Sequence, residues 1–238
     1  MMDVFGNLVI ITGANKGLGE ALFNEIYSNK NINVIISISR NLSLEQEILL
    51  KNNDKRFRFI KVDLSKVNSI KSLISSFDHY YKNYKNVLLI SNAGIIGPIK
   101  KVGDYSDLEI IESININILS PVVILNYFIN YFANNKLKVV NISSKAVDSQ
   151  IDGWATYTSA KTYMQKFIEM LIHQEKNNPD FNAINIYPGL IDTDMQEEIR
   201  AVTNKDFKKQ KDFQKYKDDG QLQKPEIVAK KILNQLNY

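Results

Sequence analysis

Short apolar, β-branched runs recur along the chain at Leu8–Thr12, Asn33–Ser39, Phe57–Val62, Val87–Ser91, Leu137–Ile142 and Ala183–Tyr187. Within them apolar residues follow one another without the strict polar alternation of a strand that has one wet face. They therefore predict strands covered on both sides, as in a parallel sheet. Between the runs stand longer segments with apolar residues at three- and four-residue spacing, among them Leu18–Ser28, Val67–Tyr81, Leu108–Phe132 and Tyr157–Gln174. Such spacing predicts helices, and strand–helix alternation implies right-handed crossovers that leave helices on both faces of the sheet. The expected architecture is doubly wound α/β. Pro121 lies inside one helical segment, so its fixed φ and missing N–H predict a boundary or kink near Ser120. No linker-like, repetitive or low-complexity tract divides residues 1–238, and that length suits a single domain.

Composition narrows the function classes. With 44% hydrophobic and 24% charged residues, neither a disordered nor a fibrous chain is expected. Thirty basic against 26 acidic side chains leave a net charge of +4, compatible with a small anionic ligand but too dilute to predict a nucleic-acid partner. The absence of cysteine excludes disulfides, thiolate zinc sites and cysteine nucleophiles. His79 and His173 have no metal-ligand spacing, so both are expected on helix surfaces and no metal is predicted. No stretch reaches about 18 uninterrupted apolar residues, and Met1–Asn7 carries Asp3 and no basic region, so a cytoplasmic protein without a membrane partner is expected. Lys205–Lys224 holds seven Lys and four Asp with Phe207, Phe213 and Tyr216 interleaved. Two readings stand: an amphipathic surface helix with a solvated basic face, or part of a lid over a pocket, spanning 195–224.

Directly after the first strand comes Thr12-Gly13-Ala14-Asn15-Lys16-Gly17-Leu18-Gly19, followed by a helical pattern. Glycines there let the backbone turn sharply and approach a phosphate, while a helix N-terminus presents free N–H groups and partial positive charge. In dinucleotide folds the end of the second strand reads the adenosine ribose: an acid takes a 2′-hydroxyl, a basic residue a 2′-phosphate. This chain has Ser39-Arg40 at that place and no acid. Arg40 and Lys16 together therefore favour NADP(H).

Tyr157 and Lys161 are four apart at the start of a helical pattern and project from one face. A nearby ammonium favours phenolate, so Lys161 is expected to pull the Tyr157 hydroxyl down from about 10 toward the working range. Ser144 ends a predicted strand, where open α/β sheets bind their ligands, and its hydroxyl suits a carbonyl oxygen.

These residues resemble, in order, the motifs of the short-chain dehydrogenase/reductases: Thr12–Gly19 the TGxxxGxG segment, Asn92-Ala93-Gly94 the NAG motif, Ser144 the active serine and Tyr157–Lys161 the YxxxK pair. The resemblance implies a Rossmann-type sheet of order 3-2-1-4-5-6. It further implies a cofactor held by Gly13, Asn15, Lys16, Gly17, Leu18 and Gly19 of the cradle, by Arg40, and by Asp63-Leu64 at the adenine. Asn92, Ala93 and Gly94 would line the cofactor cleft, although Asn92 equally suits bracing the central strand. Pro188-Gly189, with Ile191 and Thr193, is similar to the segment that grips the nicotinamide carboxamide. By the same resemblance, Tyr157 is the general acid, Lys161 tunes it and holds the nicotinamide ribose, and Ser144 positions the carbonyl. Asn117 best matches the family's proton-relay asparagine, with Asn115 its rival.

Within the family the likeness is strongest to sepiapterin reductases and bacterial benzil reductases, which reduce carbonyls beside another carbonyl with NADPH. It rests on Gly153–Tyr157, Pro188–Gln196 and Lys217–Leu222. Trp154 and Met195 would then be walls for a flat diketone; Trp154 also suits simple packing at a helix start. The chain ends at Asn237-Tyr238, after the helical pattern Pro225–Leu236, so the family's seventh strand and the pterin-anchoring acid near it have no counterpart. The expected activity is NADPH-dependent reduction of a vicinal dicarbonyl by a homodimer paired through Leu108–Phe132 and Tyr157–Gln174. The alternatives are sepiapterin reduction or an NADP(H)-sensing binding protein, the latter disfavoured by the retention of both Tyr157 and Lys161.

Overall fold

The computed structural model describes residues 8–77, 79–203 and 207–236. Six strands, β1 (Leu8–Thr12), β2 (Val34–Ser39), β3 (Phe57–Lys61), β4 (Asn86–Ser91), β5 (Lys136–Ile142) and β6 (Phe181–Ile186), form one sheet in the order β3-β2-β1-β4-β5-β6. Every pairing is parallel. The helices are α1 (Gly17–Ser28), α2 (Leu44–Lys51), α3 (Val67–Ser75), α4 (Asp107–Ile114), α5 (Ser120–Tyr131), α6 (Ala155–Gln174), α7 (Asp194–Ala201), α8 (Gln210–Asp218) and α9 (Pro225–Gln235).

The unbroken apolar runs have a direct cause: both faces of each central strand are covered. Leu8, Ile10, Ile36, Leu89 and Val139 point into one core with Leu125 and Phe128 of α5 and Ile168 of α6. Their neighbours Val9, Ile11, Ile35, Ile90 and Val140 point into the other, with Leu22 and Phe23 of α1 and Ile232 and Leu233 of α9. A third apolar cluster, built from Trp154, Tyr157, Ile199, Phe207 and Phe213, lies outside the sheet. Because β1 pairs with β2 on one side and β4 on the other, successive crossovers diverge there and open a crevice at the carboxyl ends of the strands.

Several elements differ from expectation. The helix predicted over Val67–Tyr81 stops at Ser75, and a 3₁₀ turn follows at His79–Asn83. A helix at Leu44–Lys51 was not predicted; Ser43 caps it in a capping box with Gln46. Asn115–Leu119 is π-helical, and α5 begins at Ser120 with Pro121 in its first turn, so a helix boundary falls at the expected place. The resulting run Asp107–Tyr131 is, by length and composition, apolar enough to cross a membrane. Its α5 part nevertheless buries Ile124, Leu125 and Phe128 against the sheet, while Leu108 and Ile111 of α4 are exposed. The expected surface placement of His173 is found. The side chain of His79, the first seven residues, 204–206 of the basic stretch, and Asn237-Tyr238 lie outside the described residues.

Candidate active site

The glycine-rich segment forms a tight β1–α1 turn. Gly13 (φ +67°) and Gly17 (φ +57°) are left-handed, a conformation that costs glycine little. The Gly13 N–H donates to the Ile38 carbonyl at 2.8 Å, tying the turn to β2. Asn92 braces it from the other side. Its Nδ2 donates to the carbonyls of Thr12 and Gly13, both at 3.1 Å, while the Thr12 hydroxyl accepts from the N–H groups of Asn92 and Ala93. Both readings of Asn92 therefore coincide, since it braces β1 and also faces the crevice. Helix α1 begins at Gly17 with no side-chain cap, in contrast to α2 and α4, whose first turns are closed by capping boxes. Its uncapped N–H groups suit an anionic ligand.

Ser144 lies just beyond β5, and its hydroxyl accepts from the Ala146 N–H at 3.1 Å. Tyr157 sits in the first turn of α6, buried, beside Ser144. One turn on, the Lys161 amine donates to the Ile142 carbonyl at 2.8 Å and lies 5.9 Å from the Tyr157 ring centroid. The acid–base balance differs from the expected one. Burial raises the Tyr157 phenol above its ordinary value, and the pull downward comes from Ser144 rather than from Lys161. Burial also lowers the lysine, to about 8. The phenol is thus neutral at pH 7.

Asn117 is buried in the π-helical turn. Its Oδ1 accepts from the Ile95 N–H at 2.9 Å and its Nδ2 donates to the Ile95 carbonyl at 3.0 Å. A methyl built on Gly94 would lie 3.2 Å from Asn117 Oδ1 and 3.6 Å from Lys161 Nζ, so both polar groups converge behind that glycine. Asn115 turns elsewhere and donates to the Ser65 carbonyl at 2.8 Å.

A cleft of about 590 Å³ joins the cradle to these groups. Gly13, Asn15 to Gly19, Arg40, Asp63, Leu64, Asn92 to Gly94, Ser144, Trp154, Tyr157, Lys161, Pro188, Gly189, Ile191, Thr193 and Met195 all line it. Asn117 lies behind this wall. The Asp63 carboxyl is held below its usual range chiefly by the hydroxyl of Ser65. Arg40 stands exposed on the rim. Lys16 departs from expectation: its Nζ is paired with Asp194 at 2.9 Å, both side chains about 60% exposed. Helix α7 starts directly over the cradle, close enough that a methyl on Gly17 would come 3.2 Å from Thr193 Cγ2, and its first-turn acid captures the lysine.

Part of the basic stretch reaches the cleft, as the lid reading expects. Lys209, Phe213 and Tyr216 form part of the cleft wall, joined by Gln196. Trp154 packs its indole parallel to Phe207, with centroids 5.6 Å apart, and edge-on to Tyr157 at the same separation. The ends of the intervening segment are tied by a parallel bridge between Ile191 and Gln223. The interleaved aromatics were the available signal.

The family model for short chain dehydrogenase matches residues 7–204. The benzil reductase ((S)-benzoin forming) of Bacillus cereus is 32% identical over 236 residues, covering 96% of this chain and 93% of its own. The enzyme of the same description from Bacillus subtilis is 31% identical over 239 residues, covering 96% and 93%. The crystal structure of the KRED1-Pglu enzyme superposes with a TM-score of 0.81 at 24% identity, covering 93% of this chain and 91% of that one, a likeness of fold.

Proposed function

The chain belongs to the short-chain dehydrogenase family and is an oxidoreductase of that type; within it we propose an NADPH-dependent carbonyl reductase for vicinal dicarbonyl compounds, with Tyr157 as general acid. The observation that carries this reading is the convergence of the Tyr157 phenol, the Ser144 hydroxyl and the Lys161 amine on one cleft that opens from an uncapped helix N-terminus. Likeness to two benzil reductases supports the substrate class.

The residues present fit a nicotinamide dinucleotide. The cradle and the first-turn amides of α1 would hold the pyrophosphate, Asp63 and Leu64 the adenine end, Pro188 to Thr193 the nicotinamide end, and Arg40 a 2′-phosphate. When bound in reduced form, that cofactor supplies the hydride. Ser144 donates to the substrate carbonyl oxygen and aligns it with Tyr157, whose proton passes to that oxygen as it becomes the alcohol. A phenol kept neutral by burial is in the correct state for this donation. Lys161, mostly protonated at neutral pH with a value of about 8, stabilises the phenolate left behind. Asn117, bound to Ile95 behind Gly94 and near Lys161, is assigned the proton-relay role. Phe213 and Tyr216, with Met195, would close the substrate end as parts of a lid. A homodimer paired through α4, α5 and α6 would cover the exposed Leu108, Ile111, Tyr163 and Met170.

NADPH oxidation with benzil tests the reading. Wild type should turn over, and Tyr157→Phe should lose several orders of magnitude in kcat while still binding NADPH. An unchanged rate defeats the role of Tyr157. Turnover confined to pterin side chains, or NADPH binding without turnover across a broad carbonyl panel, would replace the substrate assignment.

A further inference from the structure

Helix α2 is turned inside out. Leu44 is 70% exposed and Ile48 51%, while the side chain that the helix buries fully is the amide of Gln46. A buried primary amide opposes folding unless both of its ends are bonded, and here both are. Gln46 Oε1 accepts from the Ser43 N–H at 3.3 Å and so completes the capping box. Gln46 Nε2 donates to the Ala14 carbonyl, inside the glycine-rich cradle, at 2.8 Å. The cap needs only the oxygen. A glutamate at this position would accept the same N–H and add a charge that a helix N-terminus favours. The amide nitrogen serves the cradle alone.

Gln46 forms no part of the cleft wall, so its effect on a ligand must pass through Ala14. That residue is fully buried, and its peptide bond to Asn15 is trans. In a trans peptide the C=O and the following N–H point to opposite sides of one rigid plane. Holding the Ala14 carbonyl inward against Gln46 therefore turns the Asn15 N–H outward. Asn15 forms part of the cleft wall, and its N–H donates to no acceptor among the described residues. The other end of Gln46 grips Ser43, three residues after Arg40, in a loop where Ser39 Oγ also donates to the Asn41 carbonyl at 2.7 Å. One buried amide thus ties the turn that presents Asn15 to the loop that presents Arg40.

We propose that Gln46 is a positioning residue for cofactor selection: it aims the Asn15 N–H, and fixes the loop of Arg40, so that both meet the 2′-phosphate of NADPH. This rests on the NADP(H) reading given above and adds to it a residue outside the cleft on which the preference over NADH depends. A backbone N–H held in place by the fold is a donor that a phosphate oxygen bonds strongly, and NADH has no phosphate at that position.

Two measurements test the assignment. Gln46→Met keeps the bulk and removes the donor; in fluorescence titrations its Kd for NADPH should rise about tenfold and that for NADH by no more than about threefold. At saturating NADPH its kcat, and its KM for benzil, should match wild type. Ser43→Ala removes the hydroxyl of the cap but leaves both Gln46 bonds, and should keep both cofactor affinities within about twofold. Equal losses for the two cofactors in Gln46→Met, or the same loss in Ser43→Ala, would mean general damage to α2 and overturn the proposal. In the unmodified protein, NADP⁺ should move the backbone ¹⁵N–¹H signal of Asn15 downfield, and NAD⁺ should move it less. An Asn15 signal indifferent to NADP⁺ overturns the assignment even if Gln46→Met does not fold. Wild type that binds NADH as tightly as NADPH would instead overturn the NADP(H) reading, so the two failures are separable.

Discussion

Gly19→Ala probes the cradle most sharply. A methyl at this position would sit on the Gly13 carbonyl oxygen, 2.9 Å from its carbonyl carbon and 2.5 Å from Asn92 Nδ2. None of these neighbours can retreat freely. The Gly13 N–H is bonded to the Ile38 carbonyl, and the Asn92 amide is bonded to both Thr12 and Gly13. Overpacking of this kind costs about 1–3 kcal/mol, and losing the two Asn92 bonds adds about 1 kcal/mol each. Alanine's better helix propensity offsets only about 0.5–1 kcal/mol. A net loss of about 2–4 kcal/mol corresponds, for a chain of this size, to a fall of roughly 5–15 °C in Tm. Thermal unfolding followed by circular dichroism, with and without NADPH, reads both stability and ligand-induced stabilisation. The control is Gly97→Ala, where the added methyl meets nothing within 4 Å. Should Gly19→Ala melt within 2 °C of that control and bind NADPH equally well, the tight-turn account of the cradle is wrong.

Arg40→Asp should weaken NADPH binding at least tenfold and narrow the preference over NADH, while Asp194→Asn, by releasing Lys16, should tighten NADPH a few-fold at low salt and less at high salt. Fluorescence titration of both reduced cofactors checks this pair; an indifferent Arg40→Asp would remove the basis for NADP(H). Lys161 has a folded value of about 8 against 10.5 for the free side chain. Between these values the unfolded chain binds more protons, so the fold gains stability from this group as pH rises. Lys161→Met should therefore be the more stable protein at pH 7, with the gap shrinking as pH climbs from 8 toward 10; denaturant titrations showing a constant or widening gap would contradict the burial argument. Light scattering should give twice the chain mass for wild type and a monomer for Ile111→Glu combined with Met170→Glu. A wild-type monomer would exclude the helical dimer.

The central sheet was legible because burial on both faces leaves an unbroken apolar run, and β1 matches its predicted limits residue for residue. The edge strand β6 was read two residues short, since Phe181 and Asn182 lack that double cover. Helix α2 escaped notice because it buries only Gln46 and so has no apolar stripe, although its Ser43–Gln46 capping box was a readable signal. Tyr157, Lys161, Ser144 and the glycines are visible as local spacings, each set within a few residues. What joins them is not. Asp194 reaches Lys16 across 178 positions, and the Tyr157 phenol owes its raised value to burial, which no spacing reports.

The π-helical turn at Asn115–Leu119 separates two helical phases within one continuous rod. In an uninterrupted α-helix each added residue rotates everything downstream by about 100°, so a face chosen at one end dictates the face at the other. Here the wide turn absorbs that mismatch, and α4 is free to show Leu108 and Ile111 outward while α5 keeps Leu125 and Phe128 inward. The widened loop of backbone also aims Asn117 at the carbonyl and N–H of Ile95. Deleting one residue there would shorten the rod hardly at all, yet it would force a choice between the outer surface and the inner one.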